Sequence, residues 1–340
     1  MVIVAWIRKG FVACVCLIGL FSCGEKKDLK IYKMSGAAQG TYYAITYCSD
    51  NNENLQPAVD SLLKQFDRSV SAYVPTSILS RLNNNDSTAV ADSIYETVFR
   101  KSMEVSSRSE GAFDVTVGPL VNAWGFGFTK KETVTQAKVD SMLPFVGYQK
   151  VRLTKGKLVK DDPRIRIDFD AIAQGYSSDW LARFFEKKGI QNYLIDVGGE
   201  VLGRGSKPDG QIWSVGIEMP AKNASDERQF QTVISLKDKA ISTSGSYRKY
   251  YEENGIRYSH TIDPFNGYPV RHHLLSVSVV ADDCITADAY ATTFMVFGLE
   301  KSKIFLTNNP ELEAYFISDD QQGGFAIFYT PGFEKLLKKN

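Results

Sequence analysis

Asp288 and Thr292 stand four residues apart in Ala287-Asp288-Ala289-Tyr290-Ala291-Thr292, so on a helix they share one face. A carboxylate and a hydroxyl presented together are hard oxygen donors, suited to Mg²⁺ and not to zinc. The same residues also suit an Asp favouring a helix N-terminus beside an unrelated buried Thr. A second candidate is His260, one of three histidines, in Tyr258-Ser259-His260-Thr261-Ile262-Asp263-Pro264. An imidazole between a strand and a turn can act as general base near neutral pH, or simply bond to neighbouring backbone. The other two, His272-His273, fall in a polar turn and read as surface. A third candidate is the pair Asp168 and Asp170, followed by Ala171-Ile172-Ala173-Gln174-Gly175.

The elements around these residues explain why they matter. Ile165, Ile167 and Phe169 alternate, the period-2 pattern of a strand. Tyr176, Trp180, Leu181 and Phe184 then mark a helix that stops at Gly189, and Tyr193-Leu194-Ile195 reads as the next strand. Asp168 and Asp170 thus sit where a strand hands over to a helix, with backbone N–H groups free to hold a phosphate. Asp170 can equally be the helix N-cap.

The rest of the chain mixes strands and helices without βαβ alternation. Gln39–Cys48 is a half-buried strand, 55–70 a helix, Ala91–Arg108 a helix, and Thr135–Leu143 another. Phe113–Gly127 is aromatic and Gly-rich, hence a shaped loop, and Lys150–Val159 a hairpin. Beyond Gly199 strands dominate (212–218, 230–236, 239–243, a hairpin about 252–255, and 275–281), before a helix over Ala287–Phe297 that ends at Gly298. This predicts an α+β fold with mixed, largely antiparallel sheets flanked by helices, in one large or two intimate domains. Gly198-Gly199 reads as a tight strand-to-strand turn, since no G-x-G-x-x-G opens a helix there. The chain holds 40 Lys and Arg against 39 Asp and Glu, so it has no basic field for nucleic acid.

Residues 1–23 read as an export signal. Arg8 and Lys9 precede an apolar run from Phe11 to Phe21, and Leu20-Phe21-Ser22-Cys23 resembles a lipobox with Cys23 as the lipidated residue. Residues 24–34 are expected to tether the body to a membrane surface, facing the periplasm. Only Cys48 and Cys284 then remain in the body, and either a disulfide or two thiols is compatible with an oxidising compartment.

Eight stretches together resemble the ApbE family, the FAD:protein FMN transferases. They are Gln39-Gly40-Thr41, Ser71-Ala72-Tyr73 with SILSRLN, EGAFDVTVGPLVNAWGFG, DFDAIAQGY, DVGGEV, ISTSGSYRKYY, YSHTIDPFNG and ADAYAT. They occur in the family's order across nearly all of the chain after Cys23. The resemblance implies a T-fold-like catalytic body over 35–340 that binds FAD as substrate and Mg²⁺, and transfers FMN to a Thr or Ser hydroxyl with release of AMP. It implies FAD contacts at Gln39, Tyr73, Ala112, Phe113, Asp114, Asp168, Gln174 and Ile262. It further implies Mg²⁺ held by the Ala171 carbonyl with Asp288 and Thr292, and His260 as the base. By the same resemblance the partners are extracytoplasmic FMN-binding domains, such as NQR- or RNF-type subunits. The chain departs from the family's commonest pattern at Gln39, Asp170, Gln174, Thr261 and Phe265-Asn266. Asp170 is then a helix cap or an added metal ligand. Two rival readings use the same residues: an FAD pyrophosphatase with water as acceptor, and a non-enzymatic flavin-binding lipoprotein.

Overall fold

The computed structural model describes residues 28–127, 133–221, 229–247, 250–253 and 256–338. The export signal, the lipobox and Cys23 lie outside the described residues. The chain begins with β1 (Lys30–Ala38) and β2 (Thr41–Ser49), a hairpin turning at Gln39-Gly40, both with positive φ. Residues 30–34, expected in a tether, are therefore strand: Tyr32 and Met34 pack against the core below them.

Four helices follow: α1 (Gln56–Val70), α2 (Ile78–Asn83), α3 (Ser93–Arg108) and α4 (Gly118–Ala123). Ser77 and Asp92 start α2 and α3 by accepting the N–H groups of Ser80 and Tyr95 at 3.0 and 2.9 Å. Thus α4 interrupts the stretch expected to be wholly loop. Next come α5 (Gln136–Met142), the hairpin β3 (Val151–Thr154) with β4 (Lys157–Lys160), and α6 (Ala173–Lys187).

The second half supplies β5 (Tyr193–Val197), β6 (Glu200–Arg204), and the pair β7 (Trp213–Glu218) with β8 (Phe230–Leu236). After them run β9 (Lys239–Gly245), the hairpin β10 (Tyr250–Glu253) with β11 (Ile256–Ser259), and β12 (Leu274–Ala281). Helix α7 (Cys284–Thr307), β13 (Glu313–Asp319), β14 (Phe325–Tyr329) and α8 (Pro331–Glu334) complete the described chain. Gly298 does not end α7 as expected. It kinks it, at φ 72° and ψ 175°, and the helix resumes.

One eight-stranded antiparallel sheet organises all this, in the order β1-β2-β5-β6-β9-β12-β13-β14. The fold is α+β, as its unalternated elements predict. Alternation along the strands explains how both faces are covered. Leu202, Ala240, Val279 and Phe316 point to the side of α6 and α7, whereas Val201, Ile241, Val280 and Ile317 point to β7, β8 and α8. No described helix is long and apolar enough to cross a membrane.

Ile165, Ile167 and Phe169 are all buried, so the alternation is real, but the segment pairs with no strand. Its partner is a side chain. Asn83 donates Nδ2–H to the Ile167 carbonyl and accepts the Ile167 N–H at Oδ1, both at 2.7 Å. One amide thereby supplies both bonds of a strand neighbour, and Asp168 N–H is taken by the Val115 carbonyl at 2.7 Å. Periodicity reports burial, and cannot say what satisfies the backbone.

Candidate active site

A cavity of about 650 Å³ opens between the start of α6, the first turns of α7, the β5–β6 turn and the β7–β8 pair. It is lined by Tyr73, Ala112, Phe113, Asp114, Asp168, Ala171, Gln174, His260, Ile262, Asp288 and Thr292, eleven positions named from the sequence and scattered over 220 residues of chain. Gln39 is not among its lining residues. In the β1–β2 turn its Oε1 accepts the Ser177 hydroxyl at 3.3 Å, while its buried Nε2 has no partner. The same Ser177 hydroxyl bonds the Gln174 carbonyl at 2.7 Å, so Gln39 reaches the site only through α6.

Helices α6 and α7 bring the oxygen donors together. The Gly175 N–H in the first turn of α6 donates to Asp288 Oδ2 at 2.9 Å. A Cβ at Gly175 would stand 2.5 Å from the Cys284 carbonyl oxygen and 2.7 Å from Asp288 Cβ, so only Gly allows this approach. Thr292, one turn beyond Asp288, shares a bond of 3.2 Å with the Ser244 hydroxyl on β9. Ala171 lies in the turn that enters α6.

Asp170 does not cap α6. The N-cap position is Ile172, with no side-chain bond, and Asp170 Oδ2 instead accepts the Tyr73 hydroxyl at 3.0 Å. Its backbone N–H is held by Asp168 Oδ1 at 2.8 Å. Asp114 is likewise occupied. It accepts Thr116 N–H and Oγ1–H at 2.8 and 2.6 Å, and Tyr148 N–H at 2.7 Å, so it shapes the wall formed with Ala112 and Phe113. Ile262 sits over the apolar cluster of Leu120, Trp124 and Val139, and the His260 ring meets Phe126 edge-on, with centroids 6.4 Å apart.

The β5–β6 turn adds two carboxylates that sequence reasoning left without a role. Asp196 accepts Gly199 N–H at 2.9 Å and the Tyr42 hydroxyl at 3.1 Å. Glu200 is 7% exposed, accepts Ser242 Oγ–H at 3.3 Å, and leaves Oε2 buried without a partner. Gly198 takes φ 65°, a left-handed backbone that favours Gly, and a Cβ there would also crowd Thr41 Cγ2 at 2.7 Å and Gln174 Nε2 at 2.4 Å. Two acids flanking a Gly-Gly turn were the available signal.

The electrostatics follow from this crowding. Burial raises Asp288 above the ordinary carboxylate range, against the opposing Gly175 N–H and with the Asp170 charge adding to it. Burial, then Asp170, raises Asp168. Burial, then Asp288, raises Glu200 well up. Burial also raises Asp114, against its three hydrogen bonds. Seven carboxylates line the cavity, and no Lys or Arg does among the described residues. Neighbouring buried acids that destabilise each other's charge, one with an orphaned oxygen, fit a hard divalent cation. No group of three or more His, Cys, Asp or Glu side chains is arranged around a metal among the described residues. Of the residues named from the sequence, Asp288 and Thr292 present a carboxylate and a hydroxyl to the cavity from successive turns of α7, and Ala171 lines it from the turn before α6.

Cys48 and Cys284 are both buried and both free, so no disulfide links them.

Residues 39–316 match the ApbE family. An FAD:protein FMN transferase from Vibrio cholerae is 35% identical over 341 residues, covering 98% of this chain and 100% of the relative. One from Haemophilus influenzae is 33% identical and covers 97% of this chain and 98% of the relative. The solved structure of the flavin transferase ApbE from Vibrio cholerae matches with a TM-score of 0.81 at 32% identity, over 91% of this chain and 100% of that one.

Proposed function

Because the chain belongs to the ApbE family and is a flavin-transferring enzyme, we propose that it moves the FMN half of FAD onto a Thr or Ser hydroxyl of exported or membrane-bound redox proteins, with Mg²⁺ and with release of AMP. The observation that carries this reading is the meeting of His260 with Asp288 and Thr292 in one cavity. Its volume, about 650 Å³, falls in the roughly 300–1,000 Å³ range of ligand pockets.

FAD would lie with its pyrophosphate towards the start of α6 and its ring system towards Tyr73 and the Ala112–Phe113 wall. Tyr73 is held in place by its bond to Asp170 and can cover the flavin against water. The Ala171 carbonyl, Asp288 and Thr292 would hold Mg²⁺. Bound there, the cation would neutralise the pyrophosphate oxygens amid the surrounding carboxylates. His260 would take the proton as the acceptor oxygen attacks the FMN-side phosphorus. A new phosphoester bond then forms, the bridging P–O bond breaks, and AMP leaves.

Export and lipidation at Cys23 belong to the same reading, with acceptors such as NQR- or RNF-type subunits on the periplasmic side. The test combines the protein with FAD, Mg²⁺ and the extracytoplasmic domain of such a subunit. Intact-mass spectrometry follows the acceptor while chromatography follows nucleotides. A gain of one FMN phosphoester with equimolar AMP is expected, and only with Mg²⁺. Free FMN and AMP beside an unmodified acceptor would replace this reading with a pyrophosphatase, and intact FAD would reduce it to a binding protein.

A further inference from the structure

Phe265 is 60% exposed, yet the turn that carries it is tightly bonded. Asp263 Oδ1 accepts the Phe265 N–H at 2.8 Å, and its Oδ2 accepts the Asn266 amide at 2.6 Å. Asn266 Oδ1 accepts Tyr268 N–H at 2.8 Å. Gly267 N–H donates to the Asp263 carbonyl at 2.8 Å, and Asp263 N–H to the Tyr268 carbonyl at 2.9 Å. From below, Trp124 Nε1–H donates to the Gly267 carbonyl at 2.9 Å. A ring fixed on such a turn loses little entropy when a partner covers it, and the covering removes apolar surface from water.

Its position ties it to the chemistry. Phe265 follows His260 by five residues, and its neighbour Pro264 lines the cavity. A Cβ on Gly111 would stand 3.7 Å from Phe265 Cε1, so the ring lies against the wall that continues into Ala112 and Phe113. Phe230, 65% exposed, borders the same opening, its ring so close over Gly216 that a Cβ there would be 2.4 Å from it. Tyr42 and Tyr73 complete the rim at 37% and 57% exposure. Eight large apolar side chains are exposed among the described residues; three of them, Tyr42, Tyr73 and Phe230, line this cavity, and a fourth, Phe265, stands beside Pro264, which does. Scattered exposed hydrophobes need no explanation, but a ring of them around one opening marks a contact surface.

We propose that Phe265, with Phe230 as the second ring, docks the acceptor protein. The acceptor lays an apolar, uncharged segment on these rings, next to its target Thr or Ser, and the hydroxyl is thereby delivered to His260. This rests on the flavin-transfer reading, which requires a protein chain to enter this mouth. Phe265 itself does not line the cavity; its ring lies outside it, against Gly111 and next to Pro264 of the lining. The acidic lining argues against an acidic segment there.

The experiment uses the full chain in detergent with FAD, Mg²⁺ and the extracytoplasmic domain of an NQR- or RNF-type subunit. Phe265→Ala is expected to raise the acceptor KM about ten- to thirtyfold. The kcat and the FAD Kd, read by flavin fluorescence, stay within about twofold, and Phe265→Trp restores the wild-type KM. An unchanged acceptor KM overturns the proposal. A KM rise matched by an equal loss of FAD affinity also overturns it, assigning the ring to the flavin. If wild-type protein transfers no FMN, the functional reading falls and the docking surface with it. Transfer that is indifferent to Phe265 removes the docking surface alone.

Discussion

Asp179 and Asp288 cap each other's helices. Asp179 on α6 accepts the Cys284 and Ile285 N–H groups at the start of α7, both at 2.9 Å. Asp288 on α7 accepts the Gly175 N–H at the start of α6, also at 2.9 Å. Each carboxylate satisfies donors that a helix start leaves open, and meets the positive end of the neighbouring dipole. The reciprocal bonds set the spacing between Ala171 and Gln174 on one side and Asp288 and Thr292 on the other.

Asp179→Ala would leave two buried N–H groups without acceptors, for a loss of about 2–4 kcal/mol in denaturant unfolding. The pH dependence has a definite sign. Burial pushes Asp179 from 3.8 up to about 7, so the native chain holds this proton more tightly than the unfolded chain. Its contribution to stability is therefore largest below about pH 4, declines as pH rises towards 7, and is level beyond. Asp179→Asn should flatten that decline when unfolding midpoints are compared across pH without Mg²⁺. A steeper decline in the variant would refute the assignment.

Gly175→Ala tests the approach of the two helices. The added Cβ meets the Cys284 carbonyl and Asp288 Cβ, and backbone on one side cannot swing away. We expect a loss of about 1–3 kcal/mol together with weaker Mg²⁺ binding by calorimetry. Wild-type stability and metal affinity in this variant would show that the helices have slack.

Asn83→Leu should destabilise by about 2–4 kcal/mol, because the Ile167 N–H and carbonyl lose both partners while remaining buried. Asn83→Asp keeps the acceptor and loses the donor, and should also weaken folding. Hydrogen exchange at Ile167 distinguishes this local cause: exchange there should accelerate more than in the main sheet.

Asp288→Asn keeps an acceptor for Gly175 N–H but removes the charge. It should retain the fold, lose measurable Mg²⁺ binding, and slow transfer at least about a hundredfold. His260→Ala should instead bind FAD and Mg²⁺ normally while transfer falls about 10²–10⁴-fold. Equal effects of the two variants on metal affinity would remove the separation of roles.

Much of the fold was legible, for reasons particular residues make clear. Val59, Leu63 and Phe66 recur at helical spacing because one side of α1 is buried, and α1 is where the spacing predicts it. Asp92 marks the start of α3 by accepting Tyr95 N–H. By contrast β13 and β14 carry no signal strong enough to name from the sequence, although β13 is almost wholly buried between α7 and α8. A strand covered on both faces reads as a short apolar run, which periodicity does not separate from a helix.

By itself, the sequence determined the residue types, the local elements and the order of the motifs, because caps, turns and periodicity act over a few neighbouring residues. Those sufficed for the α+β class and for marking Asp288, Thr292 and His260 as candidates. Only the tertiary structure decided which groups meet. It left Gln39 off the cavity, gave Asp170 to Tyr73, set Asn83 in place of a strand, and brought Asp196 and Glu200 to the site. Each of these depends on packing between segments distant in sequence. Nothing local encodes whether a buried polar group is answered by backbone, by a side chain or by a neighbouring charge, since that is settled only when the two helices and the sheet close on one another.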